Sequence, residues 1–244
     1  MNYETPPLLR LCNISYSHPG TSASLLQDIN FSINREHVGL IGPNGCGKTT
    51  LFQLIMGLLK PDSGTILLEG NAVTKSRDIK KLRRKLGFLF QHSDDQLFSP
   101  TVLEDVAFGP LNLGLSPDDA RDVSVQTLEQ LGLKDFEGRI THNLSGGEKK
   151  LVALATILAM KPQLLLLDEP SNNLDPATRE RLIEILRGLD LAHIIISHDL
   201  DFLAATCTTL YTVQDGSLQR CEQKQVHSHE HIHPYGDYPH QHGT

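Results

Sequence analysis

Tryptophan is absent and aromatic residues make up only 5% of the 244 positions, yet 39% of the chain is hydrophobic. That content supports a packed core and argues against a disordered chain. Cysteine is sparse: Cys12, Cys46, Cys207 and Cys221 are scattered without a C-x-x-C pair. This excludes a disulfide framework or a cysteine zinc site and fits reduced thiols. No long hydrophobic run exists. The longest, Leu151 to Met160, spans ten residues, against roughly 20 for a membrane-crossing helix. The first residues, Met1-Asn2-Tyr3-Glu4-Thr5-Pro6-Pro7, lack the basic and apolar regions of a signal peptide, so a soluble chain is expected. A basic excess is missing too: the net charge is −7, which argues against nucleic acid as the main partner. No internal repeat is visible.

What is there is organised around Gly42-Pro43-Asn44-Gly45-Cys46-Gly47-Lys48-Thr49-Thr50, which reads G-x-x-x-x-G-K-T, the phosphate-binding loop of nucleotide triphosphatases. Val38-Gly39-Leu40-Ile41 before it suits a buried strand. Thr50 to Met56 after it has helical composition, with Gly57 to end the helix. In that context the glycines let successive backbone N–H groups converge on phosphate oxygens at a helix N-terminus. Lys48 then reaches the β- and γ-phosphates, and the Thr49 hydroxyl ligates Mg²⁺. Far along the chain, Leu164-Leu165-Leu166-Leu167 is an apolar run of the kind found in central parallel strands, and Asp168-Glu169-Pro170 follows it. A carboxylate at that strand end can hold Mg²⁺, the role given to Asp168. Glu169 is then placed to orient or deprotonate the attacking water.

The remaining pattern is α/β. Leu8 to Tyr16 and Leu25 to Asn34 read as strands either side of a loop-like cluster, Ser17 to Ser22. Thr65 to Leu68, Leu86 to Phe90, His193 to Ile196 and Leu210 to Val213 read as further strands. From Gln91 to about Lys150 the character turns helical, with Thr101 to Val106 and Ser116 to Leu131 as segments and Ser116-Pro117 as an N-cap and first helical residue. Pro176 to Leu189 is an amphipathic helix capped by Asp175, and Leu200 to Ala205 a short one.

Leu144-Ser145-Gly146-Gly147-Glu148 decides the family. With the motifs above, the sequence closely resembles the ATPase subunit of an ATP-binding cassette (ABC) transporter, whose signature is L-S-G-G-Q. The resemblance implies an α/β fold with a RecA-like P-loop core, an antiparallel β subdomain and an inserted α-helical subdomain. On that reading residues 1–221 form the ATPase domain, the helical subdomain covers about 91–155, and 222–244 is a tail. It also implies ATP and Mg²⁺ as cofactors and a second ATPase subunit, because Ser145 and Gly147 close over ATP held by the partner's phosphate loop. Glu148 in place of Gln adds negative charge beside a phosphate site and is expected to weaken that closure. Tyr16 falls where the family stacks an aromatic on adenine. Gln91 matches the residue that senses Mg²⁺ and the γ-phosphate while linking to the membrane partner. Asp175 matches the loop that crosses the dimer interface. His198, 29 residues past Glu169, matches the switch histidine on the γ-phosphate. Catalysis is thus assigned to Glu169, His198 and Lys48, and Mg²⁺ to Thr49, Gln91 and Asp168.

Gln91-His92-Ser93-Asp94-Asp95-Gln96-Leu97-Phe98-Ser99-Pro100, continuing to Asp105-Val106-Ala107-Phe108-Gly109-Pro110, is similar to the energy-coupling-factor group, in particular its cobalt and nickel importer ATPases. Such systems add a transmembrane coupling protein and a substrate-capture membrane protein, which would place this chain at the cytoplasmic face of the membrane. Asp94 and Asp95 are expected to meet basic side chains of the coupling protein. In the tail, His227, His229, His231 and His233 alternate; in an extended segment they share one side, and imidazole is a good ligand for nickel or cobalt. Competing readings are an importer of a vitamin or another cation, a cassette ATPase acting on DNA or ribosomes, and a metal-binding regulatory protein. Only roughly a hundred residues without sustained heptads separate Lys48 from Ser145, which argues against the coiled-coil DNA-repair type.

Overall fold

A computed structural model describes residues 6–21 and 23–221. The expectations for His227, His229, His231 and His233 lie outside the described residues. In chain order, β1 (Leu9–Tyr16), β2 (Leu26–Ile33) and β3 (His37–Ile41) lead into α1 (Lys48–Ile55). Then β4 (Ser63–Leu68), the short β5 (Asn71–Ala72) and α2 (Ser76–Lys85) lead into β6 (Leu86–Leu89). A 3₁₀ turn (Ser93–Asp95), α3 (Val102–Asn112), α4 (Pro117–Gln130), a second 3₁₀ turn (Thr141–Asn143) and α5 (Gly146–Leu158) follow. The described chain closes with β7 (Leu164–Asp168), α6 (Pro176–Gly188), β8 (Ala192–Ile196), α7 (Leu200–Thr206), β9 (Thr209–Gln214) and β10 (Ser217–Arg220).

The strands form two sheets. One is antiparallel, in the order β2-β1-β4-β5; the other runs β10-β9-β3-β8-β7-β6 and is parallel except for the β9–β10 edge pair. Strand alternation divides the core in two. Leu164, Leu166, Ile194 and Ile196 face one side, packing with Phe52 of α1 and with Leu9, Ile14 and Leu26 of the antiparallel sheet. Leu165, Leu167 and Ile195 face the other side, against Leu154 of α5, Leu182 of α6 and Phe202 of α7. Covering both faces explains why β7 is apolar without alternation. Each of these buried leucines contributes about 2 kcal/mol from area removed from water.

Local signals set most helix starts. Ser116 accepts from Asp119 N and Pro117 is the first residue of α4; Asp175 accepts from Ala177 N and Thr178 N ahead of Pro176. Helices α2 and α3 differ from the sequence reading, and the short strands β5 and β10 were not anticipated. Helix α2 has only two apolar residues, Ile79 and Leu82, among charged and polar ones, too short a stripe to stand out in the sequence. Helix α3 continues past Val106 through Gly109-Pro110 to Asn112. A proline so near the helix end removes little, and Gly109 fits because a β-carbon there would meet Met160 at 2.6 Å.

Candidate functional site

The loops leaving β3, β7 and β8 emerge at the carboxyl ends of the parallel strands, where open α/β sheets bind ligands. They line a polar cavity of about 480 Å³. Its wall includes Asn44, Gly45, Gly47, Lys48, Thr49 and Thr50 from the glycine-rich loop, Gln91 after β6, Asp168 and Glu169 after β7, and His198 after β8. The structure therefore brings these sequence-predicted residues together.

Backbone conformation makes the cradle. Gly47, at φ +102°, is the N-cap of α1, and a β-carbon there would lie 2.9 Å from Leu26. Only glycine suits both constraints. The buried Lys48 ammonium donates to the carbonyls of Gly42 and Pro43 at 2.8 and 3.0 Å. It also lies 4.0 Å from the Cys46 sulfur. Gly42, Pro43 and Cys46 thus meet the site through Lys48 rather than by lining the cavity.

Thr49 Oγ1 donates to Asp168 Oδ2 at 2.8 Å. Asp168 is 2% exposed, and burial pushes its carboxyl above the ordinary range; the Thr49 hydrogen bond and the charges of Lys48 and Lys150 pull the other way. Beside it, Glu169 is buried in the left-handed backbone region at φ +48°, a strained conformation for a non-glycine residue. Its N–H donates to the Ile196 carbonyl at 2.9 Å, which ties β7 to β8 and fixes the strain. Burial raises the Glu169 carboxyl as well, opposed chiefly by His198. His198 Nε2 lies 3.4 Å from Glu169 Oε1, and the His198 N–H donates to Oε2 at 3.4 Å.

The His198 loop is held from outside the cavity. Asp199 caps α7 by accepting from Phe202 N at 2.8 Å and takes a two-pronged guanidinium contact from Arg179, at 2.8 and 3.0 Å. Burial alone would raise the Asp199 carboxyl; Arg179 together with the N–H groups of Phe202 and Asp201 offsets it, and the net direction is down. Arg179 was not picked out from the sequence, because its partner lies 20 residues away in another element.

Several expectations change. Tyr16 does not line the cavity: it is 6% exposed and packs in the core, because a break in register after Leu11, where Asn13 takes φ +51°, shifts the phase of β1 so that Ile14 and Tyr16 follow Leu9 and Leu11 inward. The exposed ring at this wall is His18, with its centroid 5.4 Å from that of Tyr16 in an edge-on contact. Asp94 pairs with Lys149 through one oxygen at 2.6 Å, while its side chain stays 77% exposed. Ser145 and Gly147 also lie outside the lining of this cavity. Ser145 is exposed at the N-cap of α5, in a capping box with Glu148. Glu148 Oε2 accepts from Ser145 N at 2.8 Å and its other oxygen pairs with Arg139 at 3.0 Å. The Ser145 N–H, foremost, together with Arg139 holds this carboxyl below its usual range. The charge expected to oppose phosphate is therefore already neutralised locally. Asp175 spends its carboxylate on Thr178 and Ala177 at the start of α6.

The donor set around Thr49 consists of hydroxyl, carboxylate and amide oxygens, the hard ligands Mg²⁺ prefers, and the buried Asp168 is an acceptor in want of positive charge. The residues fit that ion.

Comparison with known proteins gives a consistent result. The family profile described as "ABC transporter" matches residues 26–172. A Nitratidesulfovibrio vulgaris protein named among ABC transporter ATP-binding proteins is 55% identical over 97% of this chain and 86% of its own length. The energy-coupling factor transporter ATP-binding protein EcfA of Methanothermobacter thermautotrophicus is 46% identical over 86% of this chain and 69% of its own. Among solved structures, CbiO1 of Clostridium perfringens, described as part of the ABC transporter complex CbiONQ, is 36% identical with a TM-score of 0.79, covering 88% of this chain and 87% of that one. The ATP-binding cassette MJ0796, in a dimeric post-hydrolysis state with ADP and phosphate, is 27% identical with a TM-score of 0.77, covering 87% and 97%.

Proposed function

This chain belongs to the ABC transporter family and is an ATPase of it, and from that premise we propose that it energises import of a transition-metal cation, nickel or cobalt, through separate membrane subunits of the energy-coupling-factor type. The observation that carries the nucleotide chemistry is the Thr49–Asp168 contact with Glu169 and His198 beside it. The glycine-rich loop and Lys48 hold the phosphates, and Asn44 and His18 face the same cavity. His18, rather than Tyr16, is the ring offered to the nucleotide base. Thr49, Asp168 and Gln91 hold Mg²⁺, which when bound offsets phosphate charge. Glu169 accepts the proton of the attacking water, and His198 fixes the orientation of that carboxylate. Positioning and charge stabilisation supply the rate, as phosphoryl transfer requires.

Ser145 and Gly147 serve the nucleotide of a second ATPase subunit, a reading supported by the exposure of Ser145 and the half-buried place of Gly147 away from this chain's own cavity and by the dimeric form of the MJ0796 cassette. Among the described residues no helix is long and apolar enough to cross a membrane. The likeness to CbiO1, part of an ABC transporter complex, and to EcfA supports membrane subunits as partners and a place for this chain at the cytoplasmic face. An exposed aromatic pair supports their docking place: Phe98 and Phe108 meet edge-on at 4.8 Å, 67% and 48% exposed, with Leu111 and Leu115 nearby on and after α3. The cargo reading is supported by the alternating tail histidines of the sequence, whose imidazoles suit nickel or cobalt.

Membranes bearing the tagged chain and its co-purifying partners should take up radiolabelled nickel or cobalt only with ATP. Partners that move neither ion while hydrolysing ATP would overturn the cargo and leave the ATPase standing.

A further inference from the structure

Helix α5 begins at Ser145 and holds the loop after β6 by three side-chain ties. Lys149 pairs with Asp94 at 2.6 Å. Gln96 takes the Phe90 N–H on its oxygen at 3.2 Å and donates its amide to the Ala153 carbonyl and Thr156 Oγ1, both at 3.0 Å. Between them, Lys150 Nζ donates to the backbone carbonyl of Gln91 at 2.7 Å.

Lys150 is unlike the other two. It is a charge at 5% exposure, near the N-terminal end of a helix, where the dipole disfavours a cation. Burying an ammonium is costly unless it is hydrogen-bonded and faces opposite charge. The charges that favour it are those of Asp168 and Glu169, while burial works against it. Its one hydrogen-bond acceptor named by the geometry is the main chain of the residue that faces the nucleotide cavity.

We propose that Lys150 is a positioning residue for hydrolysis: its Nζ fixes the Gln91 backbone to α5, so that displacement of the Ser145 end of α5 moves Gln91 with it. The inference rests on the ATP-site reading above. Lys150 has no contact with nucleotide or water in this reading. Its work is done through the Gln91 carbonyl.

The test uses the full chain with Lys150→Met, Lys150→Arg and, as a control, Glu169→Gln. Four quantities are measured: kcat, KM for ATP, the half-saturating Mg²⁺ concentration, and binding of a fluorescent ATP analogue in EDTA, each beside the melting temperature. Lys150→Met leaves the Gln91 carbonyl without its donor and should melt below wild type, yet fold and bind the analogue within about two-fold. Its kcat should fall by about ten-fold or more, with KM little changed and the Mg²⁺ requirement raised. Lys150→Arg, which keeps charge and donor, should recover most of the rate. Should the Met variant fail to fold, Lys150→Gln, whose side chain is shorter and so drawn back from the Gln91 carbonyl, carries the same comparison. A folded, uncharged variant with kcat and Mg²⁺ dependence within about two-fold of wild type overturns the proposal. So does a variant whose rate falls only in step with its melting temperature. Wild-type turnover in Glu169→Gln would instead overturn the site reading on which the proposal stands.

Discussion

Thr49 and Asp168 are separated by 119 residues of chain, yet the threonine hydroxyl donates to the aspartate carboxylate at 2.8 Å. The contact joins the first turn of α1 to the end of β7, two strands away from β3 across β8. It exists because both elements reach the same edge of one parallel sheet. A hydroxyl and a buried carboxylate in that arrangement form half of a site for a hard cation.

Burial disfavours the charged forms of Asp168 and Glu169. With folded-state pKa values above those of the unfolded chain, the native protein holds these protons more tightly, and their ionisation at neutral pH weakens the fold. Asp168→Asn should therefore be more stable than wild type by roughly 0.5–2 kcal/mol while losing Mg²⁺-dependent turnover. Paired thermal melts and ATPase assays check this; a destabilised Asp168→Asn would mean the carboxylate charge holds the fold together.

His193, 1% exposed on β8, stacks on His37 with centroids 4.2 Å apart. Burial, then the His37 charge, push its pKa down to about 4, against the pull of the Thr206 carbonyl. The neutral form is the native one, and the unfolded chain takes up the proton first on acidification. Stability is thus unaffected above about pH 6.5 and declines by about 3 kcal/mol toward about pH 4. Denaturant melts of wild type and His193→Gln across that window should show the slope in the former and a shallower one in the latter. Equal slopes would place the acid sensitivity elsewhere.

Glu148 completes the capping box of α5 with Ser145 and pairs with Arg139 at 3.0 Å. Glutamine preserves the cap, so Glu148→Gln should hydrolyse ATP within about two-fold of wild type; Glu148→Ala should lose about 1 kcal/mol of stability. A several-fold acceleration in Glu148→Gln would show that the carboxylate does reach a partner's phosphates.

The Phe98–Phe108 pair lies on the exposed side of α3, with nothing in the catalytic cavity depending on it. Replacing both by serine should leave basal ATP hydrolysis within about two-fold and reduce recovery of membrane partners by an order of magnitude or more, as for loss of a central aromatic anchor. Unchanged recovery would move the docking surface elsewhere.

The glycine-rich loop, the Asp168–Glu169 pair and the Ser145–Gly147 turn were legible in sequence because each imposes its chemistry within a few consecutive residues. Both buried strands carrying them were legible for the same reason, as short apolar runs. Lys150, Gln96 and the Arg179–Asp199 fork were not: their meaning lies in partners 20 to 60 residues distant. Tyr16 and His18 show a subtler limit. Tyr16 ends β1 and His18 lies two residues past it, and the register break near Asn13 that turns Tyr16 inward leaves no mark in the alternation of the sequence. Helix α2 escaped because its apolar side is only Ile79 and Leu82, two residues in a charged segment.

The most direct test of the catalytic assignment is Glu169→Gln in the full chain, with ATP binding and single-turnover hydrolysis measured on the same sample. The geometry predicts binding within about three-fold of wild type and turnover reduced by roughly 100-fold or more, the loss of a positioned general base. Normal binding with undiminished turnover would show that another group activates the water and that the Glu169–His198 arrangement is not the catalytic one.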